Sequence, residues 1–481
     1  MTVIRPNSIS GVSSITGSGG DISIFRADGT AADLIVNNVT TGIITATSFV
    51  GNVTGAVTGS GANLTSIPAA QLTGTVADAR LSTVSSSKLS GALPALDGSA
   101  LTGVGVGTAD SINTSGIITA TMFVSDTPLT HRNLLINGEM KINQRVQTGS
   151  LGYYNPVTSS IYTLDRWKIS LGGGFDTDSA KIYHSTTAPT SEGFTKSLKV
   201  DIGNTETPSS GQRANIGQRI EGQDLQHLRY GTSSAKTMTL SFWVYSNKTG
   251  IYSVQIVQEN KKYVLYEYTI SSADTWEKKT ITIVGNTADT IDNDNGVGFY
   301  VDWFLCANSD VSVSPTSSWT SGSSYRASTN QVNLWDNANN YWYLTGCQLE
   351  LGPVVTPFEH RSFADELARC QRYYYRQSSE HQYMRYDCSG QCPSANGAQF
   401  VFSLPVKMRA VPTIGYSQLS DFYIYASNLQ AKTPTNITLS AGSTKSPMLS
   451  FDKSSTFSAG AGAHLTVPNS NQGYIEFKAE L

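Results

Sequence analysis

From Asn133 onward the chain reads as short runs in which apolar and polar positions alternate, set apart by clusters of Gly, Asn and Ser. Alternation of period two marks a strand with one buried face. IYTLDRWKIS, KSLKVDI, ANIGQRI, TMTLSFWVY, IYSVQIV, YVLYEYTI, WEKKTITIV, VGFYVDWFL and YWYLTGCQLEL give nine such strands. In TMTLSFWVY, Met238, Leu240, Phe242 and Val244 face one way, with Thr239, Ser241, Trp243 and Tyr245 opposite. Helical periodicity is absent here, so the stretch predicts a two-layer antiparallel sandwich of jelly-roll type that closes around Pro357.

One helix is predicted after it. Ser362 is a good N-cap, with Asp365 at the third helical position and Glu366 adding negative charge to the first turn. Phe363, Leu367, Cys370 and Tyr374 follow at spacings of 4, 3 and 4, the seam of a coiled coil and here a candidate trimer seam. A single amphipathic helix lying on its own domain explains the same spacing. Beyond it, AQFVFSLPV, TIGYS, FYIYAS, ITLS, MLSF, HLTV and GYIEFKAEL predict a second, smaller β module that ends in a strand.

The first quarter has a different texture. Of 7 Trp, 23 Tyr and 16 Phe, only Phe25, Phe49 and Phe123 precede residue 130. Small and β-branched residues separated by Gly, Ser, Thr and Asn rule out long helices and an ordinary core. TGIITATSFVGN from Thr41 nonetheless repeats as SGIITATMFVSD from Ser115. Each repeat has one thin apolar ridge, such as Ile43, Ile44 and Phe49, which copies of the chain around a common axis would bury. The expectation is a trimeric β-rich shaft, with a flexible linker as the alternative. The chain is thus read as all-β, with a fibrous shaft and attachment region at 1–130, a jelly-roll-like β-sandwich at 131–358, a helical connector at 359–377 and a C-terminal β-sandwich at 378–481.

Composition narrows the partners. Charged residues make up 14% of the 481 residues, against roughly 25% in ordinary soluble domains, and the net charge is −3. There is no basic field for phosphates, so nucleic acid is not an expected partner. No apolar run approaches a membrane span, and the first ten residues lack the pattern of a secretory signal. Five cysteines, Cys306, Cys347, Cys370, Cys388 and Cys392, are too few for a disulfide framework and are expected as free thiols. Only Cys388 and Cys392 are close, and with His381 as the one nearby imidazole they fall short of a metal set.

Several of these residues also carry a resemblance. NLLINGEMKINQR from Asn133, LDRW ending at Trp167, IGQRIEG from Ile216, LSFWVYS from Leu240, TW at Thr275 and YLTGCQLELGPVVTPFEHRSFADELARCQRYYYR from Tyr343 resemble the distal part of tail fibres from tailed bacteriophages. PVKMRAVPTI from Pro405 and the closing AEL look like the same family's C-terminal module, and the repeats before residue 130 resemble structural proteins of marine cyanobacterial phages. The resemblance implies a homotrimeric virion fibre that attaches to other virion proteins by its N-terminal end and recognises the bacterial surface distally.

Chemistry is sparse. The chain has no GxSxG, HExxH or GxxxxGK[ST] motif, so no catalytic residue, cofactor or metal is expected. Asp302 and Glu267 are the carboxylates to consider for glycan hydrolysis, and both are expected on the solvent faces of their strands. Asp289, Asp292 and Asp294 could coordinate calcium through their carboxylates, but their spacing is not that of a calcium loop and an Asn- and Asp-rich turn explains them equally well. The stretch from Asn308 to Asn340 carries Trp319, Tyr325, Arg326 and Trp335 among Ser, Thr and Asn, the residue types that stack on sugar faces and bond their hydroxyls. These four are the candidate receptor-binding residues; the alternative is that they pin the loop to the sandwich or to a neighbouring subunit. For the whole chain, an adhesin for a bacterial surface glycan or protein stands against a purely structural virion connector.

Overall fold

Runs rich in Val, Ile, Tyr, Phe and Trp become strands because branched and aromatic side chains fit a pleated, half-buried surface. The computed structural model describes residues 30, 50–51, 54 and 130–481, apart from 146–152, 155–159, 176–178, 260–261, 323–324, 380, 382, 427–430, 454–456 and 469–472. The chain divides into two units, Met1–Ser115 and Gly116–Leu481. The expected shaft lies outside the described residues, and both β modules belong to the second unit.

Eight of the nine expected central strands form, while IYTLDRWKIS breaks into Ile161–Tyr162 and Lys168–Gly172 around a turn; together with strands the alternation did not announce, such as Ala180–Ser185, they build two antiparallel sheets. One has six strands in the order Tyr153–Tyr154, Ala180–Ser185, Ser197–Ile202, Tyr341–Leu351, Met238–Ser246 and Glu277–Ile283. The other has seven, in the order Thr316–Ser321, Lys262–Ile270, Gly250–Gln258, Val297–Ala307, Arg213–Glu221, Lys168–Gly172 and Ile161–Tyr162. The inner faces meet in an aromatic core in which Trp303 lies 5.6 Å from Trp167 and 5.5 Å from Phe242, centroid to centroid. Met238, Leu240, Phe242 and Val244 all point into it, as the alternation requires.

The C-terminal module is also all-β. A three-stranded sheet of Tyr374–Ser378, Tyr474–Lys478 and Thr413–Tyr416 packs with a six-stranded sheet over Phe400, Phe422, Phe451 and Phe477. Two of its strands were not expected. Cys388–Ser394 has little intrinsic strand tendency, but its main chain pairs with Gly397–Phe402 and Gly462–Thr466, and tertiary pairing outweighs propensity. Its two cysteines, like the other three, are free thiols. Tyr374–Ser378 begins inside the stretch that the sequence suggests is connector.

Between the modules lies the helix Phe363–Gln371. Its N-cap forms as expected: the Asp365 amide donates to Ser362 Oγ at 3.1 Å. The phage-fibre-like motifs converge around it. Asn137 donates to the carbonyls of Ile142 and Asp165 at 2.8 and 3.0 Å, and the Trp167 indole donates to Asn137 O at 2.9 Å. Glu366 accepts from the Asn137 amide and pairs with Arg361. Arg372 holds Glu221 by two bonds of 2.7 Å. Glu480 takes Arg166 at 2.5 Å and also Arg145, while Arg409 donates to the carbonyls of Ala479 and Glu480, each at 2.9 Å. These motifs therefore build one buried polar junction that unites sandwich, helix and C-terminal module.

Candidate functional site

The segment after Val297–Ala307 is less irregular than its composition suggests. Ser312–Val313 and Ala327–Ser328 pair in parallel, and Thr316–Ser321 joins the seven-stranded sheet as its edge. The Ser312–Val313 and Ala327–Ser328 pair lies as a partial third layer over the outer face of that sheet, the Arg326 and Ser328 amides donating to Gln255 and Ser253 at 3.1 Å each. This layer corrects the expectation of solvent-facing carboxylates. Asp302 and Glu267 do point away from the sandwich core, yet Asp302 is wholly buried, and Glu267 accepts from Ser328 Oγ and from Asn330 at 3.0 Å.

Under the segment is a compact polar network. Asp302 accepts from Arg219 at 3.1 Å and from Asn215 at 2.7 Å. Gly217, directly opposite Asp302 in register, leaves the space it needs. Burial pushes the Asp302 carboxyl above its ordinary value, with Arg219 opposing the shift. Arg219 also donates to the Tyr325 hydroxyl at 2.7 Å and stands over the Tyr300 ring at 4.6 Å. The Tyr325 phenol is raised, first by burial and then by Asp302.

The four candidate receptor-binding residues separate. Trp335 is 0% exposed and packs against Phe175 at 5.4 Å, so it belongs to the core and is out of a ligand's reach. Its preceding Asn333 accepts from the Trp335 amide and starts a short turn that drives the indole inward. Trp319 is partly buried, donating to Val284 O at 2.7 Å and packing against Tyr230 at 5.6 Å. Tyr325 and Arg326 remain half-exposed. Arg326 lines an open cleft of about 370 Å³ with Tyr263, Asp310, Ser312 and Ser321. Arg213, Tyr300 and Tyr263 complete the surface, with Arg219 buried beneath it; the sequence signals them only by their outward parity on strands flanking the segment.

The candidate trimer seam does not form one stripe. Phe363 is 61% exposed and Leu367 half-buried, but Cys370 is fully buried within its own chain. Tyr374 is not helical: it opens a strand, opposite Lys478, and donates to Glu476 at 2.6 Å. The acidic turn is spanned by protein contacts, with Asp289 paired to Lys262 at 3.2 Å and Asp294 accepting from the Gly296 amide at 2.9 Å. Among the described residues no three His, Cys, Asp or Glu side chains gather as a metal set.

The described chain is an all-β protein of two antiparallel sandwich modules. No family model matches the sequence, and no curated protein matches it. Among solved structures, the enzymatically active domain of tailspike protein 4 of bacteriophage CBA120 is similar at 13% identity and a TM-score of 0.25, over 46% of this chain and 21% of that one. A putative sugar-binding protein from Bacteroides thetaiotaomicron is similar at 15% identity and a TM-score of 0.28, over 46% of this chain and all 100% of that one. A family 11 carbohydrate-binding module from Clostridium thermocellum, in complex with a mixed-linked tetrasaccharide, follows at 12% identity and a TM-score of 0.22, over 44% and 100%. Likenesses this slight leave function to the chain's own geometry.

Proposed function

We propose that the chain is a non-enzymatic fibre protein of a tailed-phage virion, of the kind carried by marine cyanobacterial phages. It assembles as a homotrimer through residues 1–130, attaches there to other virion proteins, and binds a host-surface glycan with its β modules. The observation that carries the glycan reading is the cleft beside Arg326 and Tyr325. An arginine, a carboxylate, hydroxyls and tyrosine rings meet at one open surface on a rigid sandwich, which suits the alternating apolar and hydroxyl character of sugars. The motifs shared with phage fibres support the virion assignment. Asp302 and Glu267 are already committed to Arg219, Asn215, Ser328 and Asn330, which supports binding without hydrolysis.

A single shallow cleft binds weakly, and three linked copies on a repetitive surface raise avidity by orders of magnitude. Gold-labelled antibody against the chain should decorate phage particles, and light scattering of the purified protein should give about three times 51.5 kDa. Purified protein should block particle adsorption to cyanobacterial host cells, and a Tyr325→Ala, Arg326→Ala double variant should block about tenfold less well or worse. Decorated particles with no blocking by either protein would make the chain a virion connector; undecorated particles would end the fibre assignment.

A further inference from the structure

Two motifs stay outside the polar junction, LSFWVYS and the TW of Thr275–Trp276, and both contribute to the free face of the six-stranded sheet. Strand register there sets Tyr183 opposite Lys199, Lys199 opposite Tyr343, and Tyr343 opposite Tyr245. Trp276 continues the row, its ring 5.4 Å from that of Tyr245. Tyr341, one register step away, stacks on Tyr245 at 6.1 Å with 14° between planes. Lys199 Nζ lies 5.3, 5.5 and 5.7 Å from the rings of Tyr183, Tyr341 and Tyr343. In the other direction the face runs to Trp243, which lines a cleft of about 480 Å³ with Phe194, Ser241, Lys278, Phe358 and His360.

We infer that this track of rings is a second binding surface, and that its ligand is a linear polysaccharide lying across the strands. The row is spaced by the sheet itself, about 4.8 Å per strand, close to the length of one pyranose unit in a chain, so the partly exposed rings of Tyr183, Tyr245 and Trp276 meet sugars along it, with Lys199 between and the buried Tyr343 supporting from beneath. The cleft beside Trp243, one same-face step along the strand from Tyr245, takes a unit where the chain turns off the row. Ring faces carry the C–H sides of the sugars, while polar groups at the edges bond the hydroxyls. Those groups are present: Lys199 sits 3.0 Å from Asp201, and Asp274 accepts from the Tyr341 hydroxyl at 2.5 Å. Cores of protein interfaces are depleted in Lys and Asp, and here both stand among the rings. Lys199 and Lys278 stand against Asp201, Asp274 and Glu192, so the face has no excess of positive charge to hold a polyanion and the ligand is a neutral chain.

This inference shares the glycan class of the proposed function but uses the opposite sheet, and one experiment separates the two. Full-length protein is run in native gels containing neutral linear β-glucan, galactan or mannan, alongside Trp243→Ala, Trp276→Ala, their Phe counterparts, and the Tyr325→Ala, Arg326→Ala double variant. At least one polymer should retard the wild type. Both Ala variants should weaken retardation tenfold or more, the Phe variants should retain it, and the double variant should match wild type. For that polymer, a hexasaccharide should compete at least tenfold better than a disaccharide. If only the double variant loses retardation, the track inference falls and the cleft reading stands; if no polymer retards any form, both fall. Variants with lowered unfolding midpoints are set aside in favour of a Tyr245→Ala variant read the same way. A change of oligomeric state in the Trp276 variant would instead make this face a contact between copies and overturn the inference.

Discussion

Gly217 and Asp302 show how closely neighbouring residues can define each other. A Cβ added to Gly217 would sit 1.9 Å from Asp302 Oδ1 and 2.6 Å from the Val301 carbonyl, so a methyl group there must push a buried carboxylate off its arginine. Gly217→Ala is expected to lower unfolding free energy by about 1–3 kcal/mol. Asp302→Ala leaves Arg219 buried and uncompensated and should lose about 3–5 kcal/mol. Urea denaturation followed by tryptophan fluorescence measures both, and an Asp302→Ala loss below that of Gly217→Ala would contradict the pairing. From sequence, VDWFL gives Asp302 its outward parity. It does not show that a later segment covers it, because burial here depends on where Tyr325 to Ser328 dock over the sheet, long-range contacts that local pattern does not record. Trp335 fails to be legible in the same way: surrounded by Asn, it reads as loop, yet its turn points it into the core.

At the scale of elements, patterns with one strong period were readable. Eight of the central strands and the Ser362 cap follow directly from alternation and capping chemistry, while the run 161–170 is broken by a turn in which Arg166 takes a positive φ; Ser362→Ala should destabilise by about 1 kcal/mol. The helix seam was ambiguous for a physical reason. Nine residues are fewer than two heptads, and the helix buries Glu366 and Cys370 against its own chain. Leu367→Asp should therefore leave the mass by light scattering unchanged, whereas Glu366→Ala, which takes one partner from Arg361 and the acceptor from the Asn137 amide, should lower the unfolding midpoint. Dissociation on Leu367→Asp would restore the helix as a contact between copies. In the C-terminal module the missed strands, Tyr374–Ser378 and Cys388–Ser394, are held by partners far along the sequence, and their own residues carry no alternation of apolar and polar positions to announce them.

Across the whole described body, the modules are joined by charge as much as by apolar packing. Glu221 is buried, which by itself raises its carboxyl, but the bonds from Arg372 and Tyr373 outweigh burial and leave it below the ordinary range. A carboxyl depressed by folding stabilises the protein above its unfolded value, and that share is lost as the pH falls through the folded one. Unfolding free energy should thus drop between the ordinary carboxylate range and Glu221's lower value, and Glu221→Gln should flatten this drop in urea titrations at stepped pH. Asp165 and Asp302, raised mainly by burial, act in the opposite sense, so the comparison of wild type with variant isolates Glu221. The seam between modules has a mechanical side as well. Where the chain arrives at Arg132 and Asn133, their amides are gripped by Glu359 at 3.1 and 3.0 Å, Asn133 is bonded to Cys347 and Leu349, and Arg145, further along, reaches Glu480 just beyond the last strand. A pull delivered along the chain at residue 130 is shared at once among both modules, loading many bonds together instead of peeling one strand, so the body should resist tension as a single block and yield in one step.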